Sequence, residues 1–223
     1  MLSRKQRYFL VKALSLFSIV RGYNILVIVL AQYLAAIYIM APELPLRQVV
    51  LDGNLLVIVL CSALVIAGGY IINSFYDSEK DLINKPHKSM LDRLVSQRVK
   101  IYAYFTLNFA AVLLGSYVSF RAALFFAAYI FGIWLYSHRL KKIAFLGNFV
   151  SATLAIAPFF AVFVYYKNFE TVIFVHALFL FLLIFLFLFL FLFPSLLVQL
   201  SFFHCLSRCL HRGKISPGIC GFV

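Results

Sequence analysis

Leu55-Leu-Val-Ile-Val-Leu-Cys-Ser-Ala-Leu-Val-Ile-Ala-Gly-Gly-Tyr-Ile-Ile-Asn73-Ser-Phe-Tyr-Asp77-Ser-Glu-Lys-Asp81 decides the fold: an apolar run of bilayer-crossing length closes on an amide and two carboxylates spaced four residues apart. A transmembrane helix needs about 20 mostly apolar residues. At about 100° per residue, steps of four turn by only about 40°. Asn73, Asp77 and Asp81 are therefore predicted to stack on one helix face, with neighbouring Cβ atoms about 6 Å apart. Two carboxylates held that close repel one another unless a cation lies between them, and hard divalent ions such as Mg2+ take oxygen ligands of this kind. Asn73 sharpens the expectation, because an amide inside an apolar run is costly without a partner.

The rest of the chain has the same character. Of 223 residues, 65% are hydrophobic and 12% charged, which is too apolar for a wettable surface. A soluble protein would spread charge along every helix. Six spans are predicted: Tyr23 to Ala41, Leu55 to Phe75, Ile101 to Phe120, Ala122 to Tyr136, Ala144 to Tyr166 and Val172 to about Val198. All are expected to be helical, because a single span in lipid must satisfy its own backbone polar groups. The fold class is an all-α polytopic membrane bundle. The third and fourth spans are divided at Arg121, since one unbroken helix there would exceed the bilayer thickness.

Of the 20 Lys and Arg, only Arg47, Arg121 and Lys167 fall in the first, third and fifth connections. That asymmetry predicts a cytoplasmic N-terminus and cytoplasmic Asp77 to Lys100 and His138 to Lys142 segments. The net charge of +13 is thus mainly a topology signal, and also an attraction for anionic headgroups or phosphate-bearing substrates. Nucleic acid is not an expected partner, since the charge sits in short juxtamembrane loops. No secretory signal is read, because Lys12 interrupts the early apolar stretch. His204, Cys205, Cys209 and His211 match no standard zinc spacing.

Four of the seven carboxylates, Asp77, Glu79, Asp81 and Asp92, share one segment. The plainest account is a helix turning polar as it leaves the membrane, with Lys80, Lys85 and Lys88 balancing the acids. Asn73, a turn deeper, argues for more. In Asn84-Lys85-Pro86-His87-Lys88, Pro86 stops the helix and leaves two cations close to the acidic face. Acid, metal and base together suit a diphosphate, whose charge they neutralise so that it becomes a good leaving group.

Asn73-x-x-x-Asp77-x-x-x-Asp81 with Asn84-Lys85-Pro86-x-Lys88 resembles the first signature of the UbiA family of intramembrane prenyltransferases. Arg21-Gly-Tyr-Asn24 resembles the family's Arg-x-x-Asn in the first span. Tyr136-Ser-His-Arg-Leu-Lys141 with Gly147-Asn148 resembles the link between its fourth and fifth helices. The likeness covers about residues 15–180, so residues 1–180 are expected to form a partial UbiA-like domain. It implies a helical bundle around a cavity open to lipid, where a polyprenyl diphosphate binds through Mg2+. The diphosphate departs, and a lipid-soluble acceptor, an aromatic quinone precursor or a glyceryl phosphate, captures the allylic cation. Carried over, Asn73, Asp77 and Asp81 would hold Mg2+, with Asp77 and Asp81 as catalytic residues. Arg21, Lys85, Lys88 and Lys141 would contact phosphate, and Asn24 would line the acceptor side.

The family's second acidic motif has no counterpart: from Thr171 to Val223 there is no Asp or Glu. Leu178 to Phe193 is only Leu, Phe and Ile184, followed by a Cys/His/Arg-rich tail. Residues 181–223 are expected to be a low-complexity segment unlike the family. The change in composition suggests a frameshifted or truncated prenyltransferase lacking the second metal-binding motif and its last helices, an enzyme either active or degenerate. Two other functions compete. A phosphatidyl-type transferase would want an Asp-Gly step, which Asp77-Ser78 lacks, whereas a small transporter or lipid-binding protein would need no second motif.

Overall fold

The computed structural model describes residue 15 and residues 17–84, 95–166 and 174–190. Among these every regular element is helical. Helix α1 (Gly22–Ala35) runs on through a π-helical turn, Ala36–Met40. A short α2 (Leu46–Val50) leads into α3 (Gly53–Asn84), the longest helix. Then come α4 (Gln97–Val118), α5 (Phe120–His138), a 3-10 turn at Leu140–Lys142, α6 (Ala144–Tyr166) and α7 (Phe174–Leu190).

Five of these stretches are long and apolar enough to cross a membrane, whereas α7, where the sixth span was expected, is shorter within the described residues. The break between the third and fourth spans lies at Ser119, two residues before the expected Arg121. Ser119 is extended (φ −168°, ψ 154°), and its hydroxyl accepts a hydrogen bond from the Ala122 amide at 3.1 Å. A serine cap thus ends one helix and starts the next, where charge alone had pointed to the arginine.

Helix α3 is the axis, packing against α1, α4, α5 and α6. Its buried side chains form three layers. Leu55 and Val59 meet Met40, Val49, Ile156 and Phe163 at one end, and Ile58, Cys61 and Val65 meet Ala111, Phe126 and Tyr129 in the middle. Ile71 and Ile72 meet Tyr104 at the other end. Gly68 and Gly69 bring neighbouring helices close, since an added Cβ would lie 3.0 Å from Asn108 Oδ1 and 3.0 Å from Ile133 Cγ2 respectively. The outer surface is apolar as well, with Phe105, Tyr117 and Phe120 exposed, which suits a bilayer as solvent.

Polar groups inside the bundle join helices. Gln32, buried on α1, donates from Nε2 to Ser62 Oγ on α3 at 2.9 Å and to the Pro158 carbonyl on α6 at 2.8 Å. Pro158 has no N–H, so the Leu154 carbonyl one turn earlier loses its helical donor. The Tyr129 hydroxyl of α5 supplies the bond instead, at 3.2 Å.

Candidate functional site

The acidic end of α3 carries the site. Its apolar span closes at Asp77, so the carboxylate sits where the helix meets the polar boundary. Lys141 Nζ, from the turn between α5 and α6, donates to Asp77 Oδ1 at 2.6 Å and to Asn73 Oδ1 at 3.0 Å. Asn73 and Asp77 therefore do present oxygens to one point. A lysine two helices away in sequence holds that point with a charge-assisted bond.

The lysine's position has a local cause. Gly147 closes back on the 3-10 turn: an added Cβ there would lie 2.9 Å from the Leu140 carbonyl oxygen and 3.3 Å from Lys141 Cα. Any larger residue would push the turn, and Lys141 with it, away from α3. On the turn's other flank, the His138 ring stacks on Trp134 with centroids 5.6 Å apart and lies 5.4 Å from the Tyr76 ring, beside Asp77.

Arg21 and Asn24 meet one turn deeper, at Tyr70, three residues before Asn73. Asn24 Nδ2 donates to the Tyr70 hydroxyl at 3.2 Å, and the Arg21 guanidinium lies 5.6 Å from the centroid of that ring. Arg21 has left-handed backbone geometry (φ 51°, ψ 55°), alone among the described non-glycine residues. Such a conformation is unfavourable for a residue with a Cβ and is found preferentially where function requires it. It breaks the helical path before α1, and Gly22 follows because a Cβ there would overlap the Phe17 ring.

Position 81 continues the face along α3, but the Asp81 side chain, like Lys85 and Lys88, lies outside the described residues, as do His204, Cys205, Cys209 and His211. Two side chains that sequence reasoning did not single out join the described site. Lys100 on α4, 1% exposed, donates from Nζ to Ser74 Oγ at 3.1 Å, and Tyr70 organises Arg21 and Asn24. Lys100 looked like one more topology-setting cation, and nothing in its neighbours marked it otherwise.

Among the described residues no cluster of three His, Cys, Asp or Glu gathers around one point. The Asn73 and Asp77 oxygens nevertheless suit a hard divalent ion. Mg2+ is commonly held by one or two protein oxygens, with substrate phosphates and water completing its shell. Two apolar cavities lined by described residues flank the bundle. One of about 410 Å³ runs from Tyr76 past Ile72, Tyr104, Ile130 and Trp134, between α3, α4 and α5. The other, about 430 Å³, lies between α1, α6 and α7.

A polytopic helical bundle in which the Asn73 and Asp77 oxygens meet the Lys141 ammonium at one end of the central helix defines an integral membrane protein with a polar cluster at an apolar boundary. The chain belongs to the UbiA prenyltransferase family, whose sequence model matches residues 25–202. A digeranylgeranylglyceryl phosphate synthase of Sulfurisphaera tokodaii is 29% identical over 149 residues, 65% of this chain and 50% of the relative. The enzyme of the same name from Saccharolobus solfataricus is 36% identical over 102 residues, 43% of this chain and 35% of that one. That of Korarchaeum cryptofilum is 31% identical over 99 residues, 44% of this chain and 35% of the relative. The chain thus spans half or less of the length of these curated relatives. A solved structure described as that of a digeranylgeranylglyceryl phosphate synthase in membranes superposes with a TM-score of 0.64 at 20% identity, covering 79% of this chain and 60% of the other. That likeness establishes a shared fold.

Proposed function

We propose that this chain carries the diphosphate-binding half of an intramembrane prenyltransferase, which moves a polyprenyl group from its diphosphate to a lipid-soluble acceptor. The observation that carries the proposal is the convergence of Asn73 Oδ1, Asp77 Oδ1 and Lys141 Nζ at the polar end of α3. Asn73, Asp77 and, by its place on the same helix, Asp81 would hold Mg2+. When bound, the ion would neutralise diphosphate charge and favour its departure. Lys141 and Arg21, with Lys85 and Lys88 from the sequence that follows α3, would meet the remaining phosphate oxygens. Asn24 would orient the acceptor beside Tyr70. The apolar walls around Tyr76 and Trp134 would exclude water from the allylic cation, and their ring faces would stabilise its charge.

The names of the relatives favour a glyceryl phosphate over an aromatic quinone precursor as acceptor. The excess of Lys and Arg at this end of the bundle supports its facing the cytoplasm. A second reading, a lipid-binding protein without catalysis, is favoured by the lack of any Asp or Glu from Thr171 to Val223, where the family's second acidic motif would be sought. One assay separates them. Detergent-purified protein is incubated with Mg2+, labelled geranylgeranyl diphosphate and either a prenylated glyceryl phosphate or an aromatic acid. Product with the glyceryl phosphate, abolished in Asp77→Asn and Asp81→Asn, is expected. Diphosphate binding that is equal in native protein and both variants rejects the site.

A further inference from the structure

Lys100 is placed where two physical effects oppose it. It is the fourth residue of α4 (Gln97–Val118), at the positive pole of the helix, where a cation is disfavoured. It is also 1% exposed, although a lysine at the end of a span ordinarily extends its stem and keeps its ammonium in water. Burying that charge is strongly unfavourable unless nearby groups compensate it. Here the side chain turns inward, and Nζ donates to Ser74 Oγ on α3 at 3.1 Å.

Ser74 is not on a neutral part of α3. It stands one turn before Asp77 and seven residues, close to two full turns, before position 81, so it shares their face. Lys141 reaches the Asn73 and Asp77 oxygens of that face from the α5–α6 connection, and Lys100 reaches its base from α4. We infer that Lys100 is a positioning residue of the diphosphate site, a fixed counter-charge that holds Ser74 and biases the acidic face toward anions. This rests on the diphosphate reading of the site proposed above. Lys100 contributes by its charge and by fixing the helix end, without replacing Lys141 at the donor oxygens.

A fixed cation near a metal site gives two effects of opposite sign. It repels a divalent ion arriving alone and attracts the diphosphate that accompanies one, whereas a packing role would move both affinities the same way. The test uses the full chain in detergent as native protein, Lys100→Met and Lys100→Arg, with folding followed by gel filtration and melting temperature. Mn2+ binding without anion is read by electron paramagnetic resonance. Binding of inorganic diphosphate at saturating Mn2+ is read by calorimetry.

Lys100→Met is expected to weaken diphosphate binding by about 10- to 100-fold while Mn2+ alone binds equally or more tightly, and Lys100→Arg to recover most of the loss. Diphosphate binding unchanged in Lys100→Met, or both affinities falling together, overturns the inference while leaving the site itself standing. Native protein that takes up no diphosphate instead removes the functional reading on which it rests. Should Lys100→Met not fold, Ser74→Ala takes its place: several-fold weaker diphosphate binding is expected, and native-like binding overturns the inference.

Discussion

Replacing Lys141 should make the protein bind a divalent metal more tightly. Its ammonium lies 2.6 Å from Asp77 Oδ1 and 3.0 Å from Asn73 Oδ1, with the Lys141 and Asp77 side chains 15% and 27% exposed. A hydrogen bond to a charged group contributes about 1.5–3 kcal/mol net. Partial exposure lowers this pair toward about 1–2 kcal/mol. A metal that takes these oxygens must first displace the ammonium, so the same free energy opposes its binding in native protein. Lys141→Met removes that opposition, and Mn2+ affinity without substrate should rise about 5- to 30-fold, at 1.4 kcal/mol per decade. The measurement is an Mn2+ titration by electron paramagnetic resonance, repeated in an Asp77→Asn background. There the gain should vanish, because the carboxylate the lysine guards is gone. Mn2+ binding in Lys141→Met at or below the native value, or a gain that survives Asp77→Asn, refutes the argument that lysine and metal share one position.

Two further substitutions test the fold around the site. Arg21 has φ 51°, so Arg21→Gly should be more stable than Arg21→Ala by about 1 kcal/mol, the reverse of the usual helical order. Both lose the guanidinium, so melting temperatures in detergent compare backbone strain alone, and an alanine variant as stable as the glycine one contradicts the left-handed assignment. Tyr129→Phe should cost about 1 kcal/mol in native protein and close to nothing in a Pro158→Ala background. There the new backbone N–H takes over the Leu154 carbonyl that the tyrosine hydroxyl now serves. Equal costs in both backgrounds, by detergent unfolding titration, would show that the hydroxyl does not serve that carbonyl.

The spans were legible because lipid imposes one rule on them all: apolar runs of fixed length punctuated by charge. The same rule misplaced the break after α4. A hydroxyl cap at Ser119 ends the helix through a local hydrogen bond that hydropathy does not register, and the conspicuous Arg121 lies inside α5. Asn73 and Asp77 were legible from their spacing, and Lys141 from the resemblance of its segment. That the lysine would bond both oxygens depends on how closely Gly147 lets the turn approach, which is a tertiary fact. Lys100 was not legible. The excess of basic residues at that end of the bundle accounts for any lysine there, and only the inward path to Ser74 separates it from the others. Gln32 escaped notice for a similar reason, since its two partners lie on helices distant in sequence.

Depth bears on the acceptor. The apolar span of α3 ends at Asp77, and the described charged contacts of the site, through Lys141, Lys100 and Arg21, cluster within two turns of it. Along the middle of the bundle the described polar contacts are neutral: Gln32 ties α1 to α3 and α6, and Tyr129 satisfies a carbonyl left by Pro158, while Asp52, at the opposite end of α3, accepts from the Tyr165 hydroxyl at 2.6 Å. On the proposed reading, an allylic cation formed beside the departing diphosphate would be captured there, because moving it inward would forfeit the counter-charge of the diphosphate. An acceptor would then have to bring its nucleophile to headgroup depth. A glycerol hydroxyl beside a phosphate is anchored at that level by its own charge, and the basic residues around Lys141 would hold the phosphate. A neutral aromatic ring lacks that anchor and would need a pocket to raise it to the interface. The apolar cavity lined by Tyr76 and Trp134 adjoins that end of the bundle, and on the same reading it would take an isoprenoid chain whose diphosphate stays at the boundary. Under the proposed function, two amphiphiles side by side, each anchored by phosphate, would thus be the expected substrates in preference to a ring that migrates through the core.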